Sequence, residues 1–357
     1  MARTTKLFTT TRDTWVAMLK DVRVATSSVY MEMYIFETSP EPFDFVAVLC
    51  ERARAGVHVV LILDAYGSKE LPDSARYALI EAGVEVMFYA YVLNRTHRKL
   101  VVVDERVAYV GGVNVGARFL DWNDLVVRLT GRVVVSVVRS FARMYRVCGG
   151  TNEALLTELD TSPLARAKTW FYEHGFQSTT YSLRQAFLET IDAAESSVTL
   201  VTPYFVPQHW LVAALGRACK RGVQVELLLP EQTDVPFMHG VHRHYIGMLA
   251  QLGAAVYLHP NMNHSKAMLV DDRLAVVGSQ NIDPLSFGRN IEAGVWLSAR
   301  ADIAALRSVV ARWKKASRSY QMDRDEPRWF DRIIAYVLRL IVHTIPRAPV
   351  HTPPTTH

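Results

Sequence analysis

The stretch His97-Arg98-Lys99-Leu100-Val101-Val102-Val103-Asp104 returns 167 residues later as His264-Ser265-Lys266-Ala267-Met268-Leu269-Val270-Asp271. Each copy reads His, any residue, Lys, four residues, Asp. Gly111 and Asn114 follow the first copy, and Gly278 and Asn281 follow the second at the same offset of 167. One such match carries little weight. Two, with constant spacing and the same downstream residues, point to an internal duplication.

Working outward, the flanking segments repeat as well. Ser27-Ser28-Val29 is mirrored by Ser196-Ser197-Val198, and Gly56-Val57-His58-Val59 by Gly222-Val223-Gln224-Val225. Apolar runs predict strands over 28–36, 57–63, 84–89, 96–103, 107–110 and 125–129, with helices over 13–25, 42–55, 72–82 and 133–147. Gly56 and Gly83 stand where the second and third helices should stop. Strands alternating with helices of about 10–15 residues predict an α/β protein with a mainly parallel sheet in each half. The chain divides into a first half (1–150), a connector (151–166), a second half (167–320) and a C-terminal segment (321–357).

The length of 357 residues fits about two domains. A net charge of +5, carried mostly by Arg, permits anionic partners without choosing among them. Cys50, Cys148 and Cys219 form no metal-binding spacing and predict free thiols in a reducing compartment. The first 15 residues lack the apolar run of a signal peptide, and no run reaches the roughly 18 apolar residues of a spanning helix.

Along a strand, residues i and i+2 share a face. His97 therefore projects with Lys99, and His264 with Lys266. If the halves pack about a pseudo-twofold, two imidazoles and two ammonium groups enter one shared active site. That set suits a phosphodiester. One His attacks phosphorus, the other protonates the leaving oxygen, and the lysines hold the non-bridging oxygens. Ser279, Asn114 and Asn281 fall at or after glycine turns beside the motifs, and the Asn amides are candidates for the same oxygens. Each working His needs an acceptor on its second ring nitrogen. Asp124 lies 27 residues after His97 and Glu292 lies 28 after His264. Asp104 and Asp271 complete the motifs at strand-to-turn positions, where Asp bonds local backbone, so their role is supporting. The scheme requires no metal and no cofactor.

These residues resemble the phospholipase D superfamily, whose signature is this doubled motif, and more closely its bacterial cardiolipin synthases of the B type. The resemblance rests on Thr96 to Asp104 with Ala108 to Asn114, on Trp122-Asn123-Asp124, and on Gly278 to Phe287 with Asn290-Ile291-Glu292. It covers about residues 10–320. It implies two α/β/α sandwich halves and transfer of a phosphatidyl group through a covalent phosphohistidine to a phosphatidylglycerol hydroxyl. By that likeness His97 is the nucleophile and His264 the general acid and base, with the exchanged roles as the alternative. Phosphatidylethanolamine is a further candidate substrate, and the enzyme is expected as a peripheral protein on the cytoplasmic face of the cell membrane. Trp122-Asn123-Asp124 and Leu285-Ser286-Phe287 depart from the Trp-Arg-Asp and Arg-Ser-Phe of many relatives, and the N-terminal membrane helices of some are missing. These differences bear on acceptor choice and membrane attachment.

The same phosphohistidine attacked by water would give a phospholipase D or phosphodiesterase. A nuclease of the superfamily is less favoured, because no basic run interleaved with aromatics flanks either motif, and no nucleic-acid partner is expected. Residues 328–345 pattern as an amphipathic helix. Arg328, Arg332, Ala335, Arg339 and His343 fall within about 80° of one another, and Phe330, Ile333, Ile334, Val337, Leu338 and Ile341 cover the rest. Such a helix suits a membrane interface or a docked protein face.

Overall fold

A computed structural model describes residues 4–91, 94–157, 167–175, 182–235 and 238–325. The expected amphipathic segment at 328–345 and most of the connector lie outside these residues.

The first half runs β1 (Thr5–Thr10), α1 (Thr11–Arg23), β2 (Ser28–Met33), α2 (Phe45–Arg54), β3 (His58–Asp64), α3 (Asp73–Glu81), β4 (Glu85–Tyr89), β5 (Lys99–Val103), β6 (Val107–Gly111), β7 (Asn123–Thr130) and α4 (Val133–Val147). After the short α5 (Glu153–Leu156), the second half runs β8 (Thr169–His174), α6 (Leu183–Asp192), β9 (Ser197–Val201), α7 (His209–Lys220), β10 (Gln224–Pro230), α8 (Met238–Gln251), β11 (Ala255–His259), β12 (Ala267–Val270), β13 (Leu274–Gly278), α9 (Pro284–Gly288), β14 (Glu292–Leu297), α10 (Arg300–Ala316) and β15 (Arg318–Ser319). Local chemistry sets the boundaries. Asp44 caps α2 by accepting from the Ala47 N–H at 2.9 Å, and Gly56 ends it at φ 86°.

The strand orders are β1-β7-β6-β5-β2-β3-β4 and β15-β11-β10-β9-β12-β13-β14-β8. Each sheet is mixed, which corrects the expectation of a mainly parallel one. Only β2-β3-β4 and β9-β10-β11 pair in parallel, through the βα units. From the motif strands onward the chain returns by hairpins, and a hairpin can only pair antiparallel. Asp104 and Glu105 (φ 49° and 53°) turn β5 into β6, and Asp271 and Asp272 (φ 50° and 56°) turn β12 into β13. Two successive positive φ values match the right-handed twist of paired strands.

Three cores result. One lies under α1–α3, with Trp15, Leu61 and Val101 at its centre. Its counterpart under α6–α8 holds Phe187, Leu227 and Met268. The third joins the halves, with Leu100, Val127, Val201, Val277 and Val295 from both sheets around Phe141 of α4 and Leu306 of α10. Alternation along β5 divides Leu100 and Val102 from Val101 and Val103, so the motif strand faces two different cores.

A candidate active site at the seam between the halves

The halves meet through reciprocal backbone pairing. Thr96 bridges Ile291, and Asn263 bridges Asn123. The residue before each motif His thus pairs with the residue before the other half's candidate acid. His97 N–H donates to Ile291 O at 2.9 Å, and His264 N–H donates to Asn123 O at 2.7 Å. This self-complementary exchange is what a twofold relation produces.

The same exchange crosses the acids. Nδ1 of His97 lies 3.1 Å from both Glu292 oxygens, and Nδ1 of His264 lies 2.8 Å from Asp124 Oδ2. The offsets in the sequence measure each acid from the His of its own half. In space each acid serves the His of the other. His97, Lys99, Asp124, His264, Lys266 and Glu292 are at most 7% exposed.

Glu292 is also held by Ser279 Oγ and by Ser286 Oγ, the latter at 2.7 Å, while Ser279 Oγ accepts from the Ala293 N–H at 3.1 Å. Asp124 Oδ1 accepts from the Leu125 N–H at 2.7 Å. With both carboxylates facing Nδ1, each neutral ring carries its proton there and turns its Nε2 lone pair outward. The lysines sit beside the rings. Lys99 Nζ donates to His97 O at 2.6 Å and lies 5.0 Å from the centre of the Tyr34 ring. Lys266 Nζ donates to His264 O at 2.6 Å and to His264 Nε2 at 2.7 Å. Aromatic rings flank the pair: Tyr34 lies 4.8 Å from His97 between centroids, and Trp122 lies 5.5 Å from His264.

Crowding of cations shapes the electrostatics. Burial, then Lys266, Lys99 and His97, hold His264 well below its usual range. Burial and Lys99 lower His97 against the pull of Glu292. Burial and the mutual repulsion of the lysines push Lys99 well below the usual ammonium range, and burial takes Lys266 to about 8. The carboxyls diverge. Burial lifts Asp124 to about 7 despite Lys266. Glu292 resists burial through His97, Lys99 and Ser279 and rests at about 2. An anion brought beside these crowded basic groups would favour their charged forms. Mutual electrostatic influence among His97, Lys99, His264 and Lys266 places two imidazoles and two lysines at one seam, the set expected from the sequence for a phosphodiester.

The motif aspartates stand elsewhere. Asp104 accepts from the N–H groups of Thr26, Ser27 and Ser28 at 2.7–3.0 Å, and Asp271 from those of Glu195, Ser196 and Ser197 at 2.7–2.8 Å. They tie each motif hairpin to the start of the neighbouring strand. Asn114 Oδ1 accepts from the Ile35 N–H at 3.3 Å, and the Asn281 amide donates to Asp283. Tyr34 lies outside the repeated pattern and gives no signal in the sequence, and Ser286 is quoted there only within Leu285-Ser286-Phe287, with no contact to Glu292 expected.

Comparison with known proteins follows the same lines. The family model described as "Cardiolipin synthase, PLD-like domain" matches twice, over residues 18–145 and 187–313. The chain belongs to this family and is a phosphatidyltransferase-type enzyme of the phospholipase D superfamily. It is 30% identical to the "Major cardiolipin synthase ClsA" of Bacillus subtilis over 92% of this chain and 73% of that protein. It is 28% identical to the "Minor cardiolipin synthase ClsB" of the same organism over 90% and 86%. Among solved structures, phosphatidylserine synthase from Haemophilus influenzae Rd KW20 superposes with a TM-score of 0.76 at 12% identity, covering 96% of this chain and 94% of that one. At that identity the likeness concerns the fold alone. Among the described residues no helix is long and apolar enough to cross a membrane.

Proposed function

We propose that the protein is a cardiolipin synthase that moves a phosphatidyl group between two phosphatidylglycerol molecules at a membrane surface. The observation that carries the reading is the pair of buried imidazoles, each with its Nδ1 on a carboxylate of the opposite half.

In the first step His97 Nε2 attacks phosphorus. The bond from phosphorus to the glycerol headgroup oxygen breaks, and His264, protonated on Nε2, gives its proton to that oxygen. The anionic phosphodiester raises the affinity of His264 for this proton, and Lys266 turns from Nε2 to a non-bridging oxygen. Glu292 stabilises the charge that grows on His97. In the second step neutral His264 takes the proton from a hydroxyl of the second phosphatidylglycerol. That oxygen attacks phosphorus, the phosphorus–nitrogen bond breaks, and His97 is restored. The seam's low exposure supports transfer over hydrolysis, because water competes with the acceptor. The basic, amphipathic pattern of residues 328–345 supports peripheral attachment to the cytoplasmic face of the membrane, with phosphatidylethanolamine as a second candidate donor.

The test is incubation with phosphatidylglycerol vesicles and lipid mass spectrometry. Cardiolipin plus glycerol is expected from the intact protein and neither from His97→Ala. Phosphatidic acid as the main product would make the enzyme a hydrolase. Equal cardiolipin from His97→Ala would remove that residue from the mechanism.

A further inference from the structure

We propose that Arg98, the unassigned residue inside the first motif, is a positioning residue that aligns His97 with Glu292 through a buried ion-pair network that joins Arg98 and Glu32 of the first half to Glu173 of the second and is not repeated at the matching positions beside His264. The inference rests on the reading of His97 as the nucleophile.

Arg98 lies between His97 and Lys99 yet projects to the opposite face of the strand, into the core between the halves. Its side chain is 0% exposed. Nε and Nη2 donate to the two oxygens of Glu32 on β2, at 3.0 and 2.5 Å, as a bidentate fork. Nη1 donates to Ser140 Oγ on α4 at 2.5 Å and lies 3.5 Å from Glu173 Oε2 on β8. Ser140 Oγ in turn donates to that Glu173 oxygen at 2.5 Å, and Arg143 pairs with the other at 2.5 Å. Thr96 Oγ1 also donates to Glu32.

Glu173 stands opposite Ala293 in the β8–β14 ladder, one residue from Glu292. The backbone of residues 96–98 is therefore gripped from both sides. On one face His97 meets Glu292 of β14, and on the other Arg98 meets Glu173 on the strand paired with β14. Any slip of the motif strand along the seam has to break both contacts.

The second half shows that the fold does not need this device. Leu100 pairs with Glu32, and its counterpart Ala267 pairs with Val201. The positions of Arg98 and Glu32 are thus filled by Ser265 and Val201. A buried ion pair is often replaceable by uncharged residues without loss of the fold. Its presence beside His97, with Ser265 and Val201 at the matching positions beside His264, marks a task tied to His97. A planar guanidinium fixes direction in a way that an ammonium does not.

The test exchanges the first half's pair for the second half's own residues, Glu32→Val with Arg98→Ser, in the full-length protein. Transfer kinetics on phosphatidylglycerol vesicles and the downfield imidazole Nδ1–H proton resonance are measured, the latter assigned by its loss in Glu292→Gln. The expected result is a folded protein with kcat reduced roughly tenfold or more, KM within about twofold, and the resonance of His97 lost or broadened while that of His264 persists. A folded double variant with unchanged kcat and resonance overturns the proposal. If the double variant does not fold, Arg98→Lys decides, because it keeps the charge and removes the fork. Unchanged kcat and resonance there overturn it equally. A wild type that makes no cardiolipin overturns the functional reading instead, and the resonance still decides on Arg98.

Discussion

Lys266 places its ammonium 2.7 Å from Nε2 of His264, so the nitrogen to which the proposed mechanism gives a proton is already a hydrogen-bond acceptor in the resting protein. That contact and burial both disfavour protonation of the ring, and the proposed mechanism has the lysine turn to the phosphate. Its own proton is loosely held, with burial taking it from 10.5 to about 8. We therefore expect kcat/KM for phosphatidylglycerol to fall above about pH 8, as a cation needed by the phosphate is lost. Lys266→Arg, whose charge persists, should lose much activity but move that limb to higher pH. A limb left in place would assign it to another group.

The two orienting acids should respond oppositely in stability and alike in activity. Asp124 rises from 3.8 to about 7, so between these values the folded chain holds a proton that the unfolded chain has shed. Stability therefore falls as pH rises through that window, and Asp124→Asn should unfold at a higher temperature than wild type at pH 8, with the gap closing near pH 4. Glu292 falls from 4.5 to about 2, so its contribution is present above 4.5 and lost as pH drops towards 2. Glu292→Gln should melt lower at pH 8. Both variants should lose kcat by roughly 100-fold or more, since each leaves an imidazole without its anchor. Scanning calorimetry at the two pH values and a turnover assay check this.

Gly112 tests the packing around Asp124. A Cβ there would lie 2.2 Å from Asp124 Oδ1, an oxygen already held by the Leu125 N–H. Gly112→Ala should displace the carboxylate, lower stability by about 1–3 kcal/mol and cost activity as severely as Asp124→Asn. Near-normal kcat would mean that Asp124 need not stay where it is.

The motif aspartates should prove structural. Asp104 is lowered to about 2 because its backbone hydrogen bonds from Ser28, Ser27 and Thr26 outweigh burial. That stabilisation is present above its ordinary value of 3.8 and is lost as pH falls towards 2. Asp104→Asn and Asp271→Asn should each lower the melting temperature by several degrees, about 1–2 kcal/mol, with kcat within roughly threefold of wild type below the melting range. A loss of kcat on the scale of His97→Ala would give them a chemical role.

Residues 326–357 should govern attachment. Their removal is expected to reduce co-sedimentation with anionic liposomes while leaving turnover of detergent-dispersed phosphatidylglycerol within about twofold. Unchanged sedimentation would count against a membrane role.

Much of this architecture can be read from residue order, because repetition and strand alternation are properties of the chain itself. The motif strands, the βα units and the candidate acids all follow from it. Other features arise only on folding. β1 and β8 are absent from the sequence reading: each lies at a sheet edge, and Thr5–Thr10 is largely polar. The mixed sheet was missed because alternating helices suggest parallel pairing, whereas the turns at Asp104 and Asp271 dictate hairpins. The crossing of Asp124 to His264 and Glu292 to His97 is invisible to spacing, since spacing measures only within a half. Glu32 did leave a signal. It is a lone acid amid Val29, Met31 and Met33, and such a charge in a buried strand needs a cation nearby.

Because each carboxylate meets the imidazole of the opposite half, neither half contains the complete set that the proposed mechanism uses. A single ancestral copy could have worked only as a symmetric homodimer, each subunit lending an acid to its twin. Joining two copies end to end would free them to diverge, and Arg98 with Glu32 opposite Ser265 with Val201 is such a divergence. Expressed as two separate polypeptides, the halves should be inert apart and regain turnover on mixing.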